Sequence, residues 1–229
     1  MDFTKFEESI GVKFKDRNLL KQAFTHRSYI NENRGSNLEH NERLEFLGDA
    51  VLELLVTEYL YKKYPGSAEG DLTAYRAALV NAITLSEVAR DIGVNDFLLL
   101  SKGEAKDQGK ARQYILANTI EAIIGAVFLD QGYVVVQTFV AKILFGLIDK
   151  IVAEKSWIDA KSLFQEKAQE NYNETPVYKT VKETGPDHDK HFTVAVYAGS
   201  ELIAEAGGMS KQEAEQAAAR KALEVKGWN

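Results

Sequence analysis

The sequence predicts an all-α N-terminal domain followed by a small α+β domain of the order α-β-β-β-α. From Met1 to about Ala153, apolar residues recur with a period near 3.6, the spacing of helices that bury one face. After Tyr172 the period drops to two in short segments. An alanine-rich run, a strong helix former, then closes the chain. A length of 229 residues allows one large domain or two ordinary ones. We place the helical domain at 1–153, a linker at 154–158 and the second domain at 159–229.

In the first domain the helical blocks are Asn18 to Ser28, Asn41 to Tyr64, Leu72 to Ile92, Tyr114 to Gln131 and Val134 to Val152. Breaks fall at Asn31–Asn37, Pro65–Gly70 and Ser101–Lys110, where Gly, Asn, Ser or charge gathers. Past the linker, Ala160 to Tyr172 is again helical. Pro176 to Glu183 is the first strand, followed by a polar loop. His191 to Tyr197 alternates with Phe192, Val194 and Val196 on one face. Glu201 to Gly207 alternates through Leu202, Ala204 and Ala206. The last helix is Ser210 to Lys226.

Composition excludes several classes. There is no cysteine, so there is no disulfide framework and no thiolate ligand or nucleophile. The N-terminal residues mix charges without an apolar core, which disfavours a secretory signal. The longest uncharged-looking apolar run, Tyr114 to Leu129, is short for a membrane span and contains Glu121. A cytoplasmic protein without a membrane partner is expected. The net charge of −6 weighs against a nucleic-acid partner, although a site that gathers carboxylates for metal also makes the total negative.

The stretch "EHNERLEFLGDAVLELL" carries the sharpest signal. Glu42, Glu45 and Asp49 fall within roughly 60° on a helix. Leu44, Leu47, Val51, Leu54 and Leu55 take the other side. An ordinary solvated acidic face is the usual meaning of such a stripe. Here no Lys or Arg stands four residues after any of the acids, so like charges face one another. Phe46 sits beside the stripe, away from the core side, as a residue would that contacts something outside its own domain. A divalent cation relieves the repulsion, because hard cations take carboxylate oxygens. In "YILANTIEAIIGAVFL", Glu121 is the one charged residue, with Asn118 a turn before it and Gly125 a turn after. A carboxylate in so apolar a helix needs a partner, either an Arg or a backbone group of the protein or a shared metal. No Glu-x-x-His pair occurs, so a di-iron bundle is excluded. The oxygen-only donor set favours Mg2+, with Mn2+ as a substitute.

These pieces together resemble the ribonuclease III family. "NERLEFLGDAVL" is similar to its signature helix, and "FTHRSY", "EGDLT" and "ILANTIEAIIGAVFLD" match in order. "GGMSKQEAEQAAARKAL" resembles the end of a double-stranded RNA-binding domain. The resemblance implies a homodimeric, metal-dependent endoribonuclease that cuts duplex RNA to 5′-phosphate and 3′-hydroxyl ends in ribosomal and messenger RNA processing. It implies metal ligation by Glu45, Asp49, Asn118 and Glu121, with Glu42 and Glu69 completing the acidic cluster. Phe46 would enter a pocket of the partner subunit. Asn118 departs from the family's usual Asp, so the other function to weigh is an RNA-binding protein with weakened or lost cleavage. His26 would be structural. In the tail, Gln165 and Glu166 would touch the minor groove, His188 would enter the next minor groove, and Lys211 would meet phosphates. The stretch 158–229 holds nine Lys and Arg against twelve Asp and Glu, so any basic surface there must be local.

Overall fold

The computed structural model describes residues 2–107, 109–155, 157–186 and 190–228. The chain divides into two compact units, Met1–Trp157 and Ile158–Asn229.

In the first unit α1 (Thr4–Ile10), α2 (Arg17–Ala23) and α3 (Arg27–Glu32) precede the long α4 (Glu42–Lys63). Then come α5 (Glu69–Leu79), α6 (Ala82–Asp91), the long α7 (Lys110–Gln131), α8 (Tyr133–Leu144) and α9 (Ile148–Ala153). Three expected single helices are each split in two. The block Asn18 to Ser28 breaks at Thr25, which forms a bridge to Leu99, and His26 then caps α3 by accepting from the Ser28 amide at 3.3 Å. Leu72 to Ile92 breaks at Asn81, whose Oδ1 accepts from the amides of Ile83 and Thr84. Both side chains satisfy orphan donors at a new helix start, which local hydrogen bonding favours over continuing the old helix. Val134 to Val152 is interrupted by a 3-10 turn over Phe145–Leu147.

Helix α7 is the axis of this unit. Leu116, Ile120, Ala122, Ile123, Ala126 and Val127 are all fully buried, and they point to different sides. A helix apolar all round is a core helix. By length and composition α7 could also cross a membrane, yet 61% of its apolar window is buried inside the fold, so we read it as that core.

Helix α4 crosses α7 with backbone against backbone. A Cβ on Gly48 would lie 1.7 Å from the Glu121 carbonyl oxygen, and one on Gly125 would lie 2.3 Å from that of Leu44. Only hydrogen fits at either position. The expected core face of α4 holds for Leu44, Val51 and Leu55 but not for Leu54, which is 57% exposed. Leu54 lies instead on the side of Phe46 and Tyr61, at 81% and 73% exposure.

The second unit is α10 (Ala160–Tyr172), β1 (Val177–Thr184), β2 (His191–Ala198), β3 (Glu201–Gly208) and α11 (Lys211–Lys226). The sheet is antiparallel in the order β1-β2-β3, with Thr180 opposite Val194 and Val196 opposite Ala204. Phe164, Val194, Val196, Ala218 and Ala222 form its core. Leu202 does not face that core as alternation predicts. The register shifts between Val196 and Tyr197, Tyr197 pairs with Leu202, and Ile203 turns inward. An extra residue in one strand inverts the facing of the residues beyond it.

Candidate functional site

The glycine crossing sets the site. Glu45 and Asp49 flank Gly48 on α4, and Glu121 is the residue whose backbone Gly48 touches. Their carboxylates therefore share one region of the surface. Burial, then the charges of Asp49 and Glu45, push the Glu121 carboxyl up to about 8. Burial raises Glu45 as well, with Glu42 and Asp49 adding to it, while a hydrogen-bond interaction from Asn118 opposes the rise. Asp49 is raised by burial and by Glu53. No cation of the protein pairs with Glu45, Asp49 or Glu121 among the described residues. Burial and the two neighbouring carboxylates account for the shift of Glu121, with no Arg or backbone hydrogen bond contributing among the described residues.

Glu42 is differently placed. Arg27 reaches it at 3.4 Å and His40 Nδ1 stands 3.7 Å away. The stripe is thus compensated at one end by Arg27 from another segment, which the helix sequence does not show. Glu69 is not brought to the cluster within one subunit. It starts α5, accepts a hydrogen bond from Thr73 at 3.0 Å, and lines a cleft of about 450 Å3 with Thr57, Leu60, Tyr61, Leu72 and Arg76.

The donor set suits a hard divalent cation: three carboxylates and the Asn118 amide oxygen, with no nitrogen or sulfur ligand. Among the described residues, no three acidic or histidine side chains form a ready-made ion cage.

His26 has the structural place expected of it. Its Nδ1 is 2.8 Å from Ser28 Oγ, and burial lowers its pKa. Sequence reasoning passed over Arg112, a buried arginine in the first turn of α7. The signal available was a lone Arg ahead of an apolar helix.

In the second unit, Gln165 and Glu166 are exposed on α10 and line an open cleft with Ser162, Gln169 and Asn173. Lys211 is exposed at the start of α11, its ammonium 5.6 Å from the centre of the Phe192 ring. Ser210 caps that helix by accepting from the Glu213 amide, and Glu213 accepts from the Met209 amide in return. Two donors are thus satisfied reciprocally and the helix start is fixed. His188 lies outside the described residues.

Comparison with known proteins accounts for both units. Residues 16–148 match the family model described as Ribonuclease-III-like, and residues 160–226 match the Double-stranded RNA binding motif. Ribonuclease 3 of Bdellovibrio bacteriovorus is 43% identical over 221 residues, 96% of this chain and 94% of the relative. Ribonuclease 3 of Bacillus licheniformis is 46% identical over 96% of this chain and 88% of its own length. A solved structure of the nuclease domain of Campylobacter jejuni ribonuclease III matches 62% of this chain and 95% of that chain at 43% identity, with a TM-score of 0.57. With both halves matched in order along nearly the whole length, the chain belongs to the ribonuclease III family and is an endoribonuclease of that type acting on double-stranded RNA.

Proposed function

We propose that hydrolysis takes place where α4 crosses α7, at Glu45, Asp49, Asn118 and Glu121, with Mg2+ as the cofactor and Mn2+ as a substitute. The carrying observation is the Glu121 carboxyl, buried beside two further carboxylates and pushed up to about 8 without a protein cation to balance it. In the reaction a water oxygen bonds to phosphorus, the bond from phosphorus to the 3′-oxygen breaks, and that oxygen leaves with a proton as a 3′-hydroxyl. The 5′-phosphate stays on the other fragment. When bound, the divalent ion offsets charge developing on the phosphoryl and leaving oxygens and acidifies the attacking water. Glu45, Asp49 and Glu121 would hold it through carboxylate oxygens and Asn118 through its amide oxygen. Arg27 keeps the nearby Glu42 in place. Gln165, Glu166, His188 and Lys211 grip the duplex by its shape. Ribosomal and messenger RNA precursors in the cytoplasm are the substrates that this reading favours.

The direct test is a gel of long duplex RNA with Mg2+ and then with EDTA. Cleavage only with metal supports this reading. Binding without products would support the alternative, a binding protein whose centre Asn118 has disabled. Asn118→Asp adds a charged ligand, and more ligand charge raises affinity for a hard cation. The Mg2+ needed for half-maximal cleavage should fall about tenfold, and an unchanged requirement would reject Asn118 as a ligand.

The working unit in this reading is a homodimer. Phe46, Leu54 and Tyr61 form an exposed apolar line on α4. The cleft beside Tyr61 lies roughly 22 Å along the helix from Phe46. Leu54 is midway, so a two-fold axis there places each Phe46 against the cleft of the other subunit. Such an isologous contact uses the same patch twice. The same symmetry carries Glu69, which lines that cleft, toward the cluster of the other subunit. Phe46→Ala removes a central aromatic from both halves at once. It should weaken dimerisation about 10²-fold or more, read by analytical ultracentrifugation. An unaltered dissociation constant would exclude this interface.

A further inference from the structure

Arg112 lies outside the acidic cluster and is only 5% exposed. A guanidinium so buried is costly unless its donors meet acceptors. Its Nη2 donates to the Glu104 carbonyl at 2.8 Å, its Nε to the Asp107 carbonyl at 3.1 Å, and its Nη1 to Asn95 Oδ1 at 3.3 Å. All these acceptors are neutral. Two of them close the turn 101–107, which has further ties at its other end. The Ser101 amide donates to Ser28 Oγ at 3.0 Å, and the Lys102 amide to Glu32 Oε2 at 3.1 Å. The turn is therefore held from both sides, and its one deep anchor is a cation.

The turn carries Lys102 and Lys106, and Lys110 opens α7 directly after it. All three are exposed, and none has a carboxylate within ion-pair distance among the described residues. Unpaired lysines four residues apart stand out in a chain of net charge −6. On α7, Lys110, Asn118 and Glu121 lie within about 80° of one another, and Lys110 is ~16 Å along the helix from Glu121.

We propose that Arg112 is a positioning residue for the duplex: its buried guanidinium holds the turn so that Lys102, Lys106 and Lys110 meet backbone phosphates of the strand that passes Glu121. This rests on the reading of the acidic cluster as the place of cleavage. Arginine suits the task because its fixed fork of donors serves several carbonyls at once, which a lysine does not.

The test measures binding of a duplex RNA in EDTA, where no cleavage occurs, across a salt series. Should the metal reading fail, these binding measurements would be unaffected, so the two failures are separable. The triple variant K102A/K106A/K110A should lower affinity and reduce the salt slope by about two to three, one for each lost phosphate contact. R112M should weaken binding about 5- to 10-fold and lower the slope by at least one. In the triple-variant background R112M should add little, because its effect passes through the lysines. If R112M does not fold, N95A removes one anchor of the guanidinium and takes its place in the same cycle. An unchanged slope in the triple variant would overturn the proposal. An R112M or N95A effect of equal size in both backgrounds would do so as well, showing a purely structural role.

Discussion

Glu121→Gln is expected to reduce cleavage of duplex RNA by about 10²- to 10³-fold, the usual scale for removing one preorganised group that meets developing charge. Binding in EDTA should remain near that of the unaltered chain, because the RNA contacts lie elsewhere. The same variant has a second readout that needs no metal. The folded carboxyl stands at about 8 against a reference of 4.5. Between those values the folded chain holds a proton that the unfolded chain has lost, so metal-free stability falls as pH rises through this window. The favourable contribution is complete below the unfolded pKa and gone above the folded one. Gln carries no charge at any pH and escapes the penalty. In EDTA near pH 9, Glu121→Gln should be more stable than the unaltered chain by about 2 kcal/mol after allowance for solvent screening. At pH 4 the two should coincide. Equal stability at both pH values would show that the carboxyl is well solvated and would remove the observation on which the proposed site rests.

The largest expected loss of stability comes from the smallest change in the molecule. Gly48→Ala places a methyl 1.7 Å from the Glu121 carbonyl oxygen, and the obstacle is backbone that cannot rotate aside. The two central helices must separate, which opens the core on both sides of the crossing. A cost of about 3–5 kcal/mol is expected from overpacking at a rigid contact. Gly125→Ala, with 2.3 Å to the Leu44 carbonyl oxygen, should come close behind. Gly35→Ala is the control, since nothing lies within 4 Å of the added methyl. Urea denaturation with hydrogen exchange of α7 amides as the local probe measures all three variants. A Gly48→Ala protein as stable as the control would mean that α4 and α7 are not in backbone contact. Catalysis should fall with Gly48→Ala even where the fold survives, because the crossing is what faces Glu45 and Asp49 toward Glu121.

Much of this molecule could be read from residue order. Period 3.6 identified the α4 and α7 segments, and period two identified the β2 strand, because a regular backbone places every third or fourth, or every second, residue on one face. Glu121 announced itself by its surroundings, since a carboxylate amid apolar neighbours has few explanations. Phe46 did so by standing off the core side of its helix. Less visible in the residue order were the side-chain caps and bulges that break a regular element and the neighbours that arrive from distant segments. Arg27 comes to Glu42, fifteen residues further along, only through the tertiary fold. Asn81 ends one helix and starts another because its side chain bonds the amides ahead of it. Leu202 left the core because a bulge shifted the strand by one residue. Glu69 matched an expected motif, yet tertiary structure put it in another cleft.

The order of residues marked out the main helical and strand segments and the clustered acids, because these depend on local periodicity and side-chain chemistry, while the ligand set came from the resemblance to a family. Tertiary structure alone decided which carboxylates share a low-dielectric surface, that Gly48 and Gly125 meet backbones, and that Arg112 grips a turn. Charge, burial and steric contact act through space, and distance through space is set by how the helices cross.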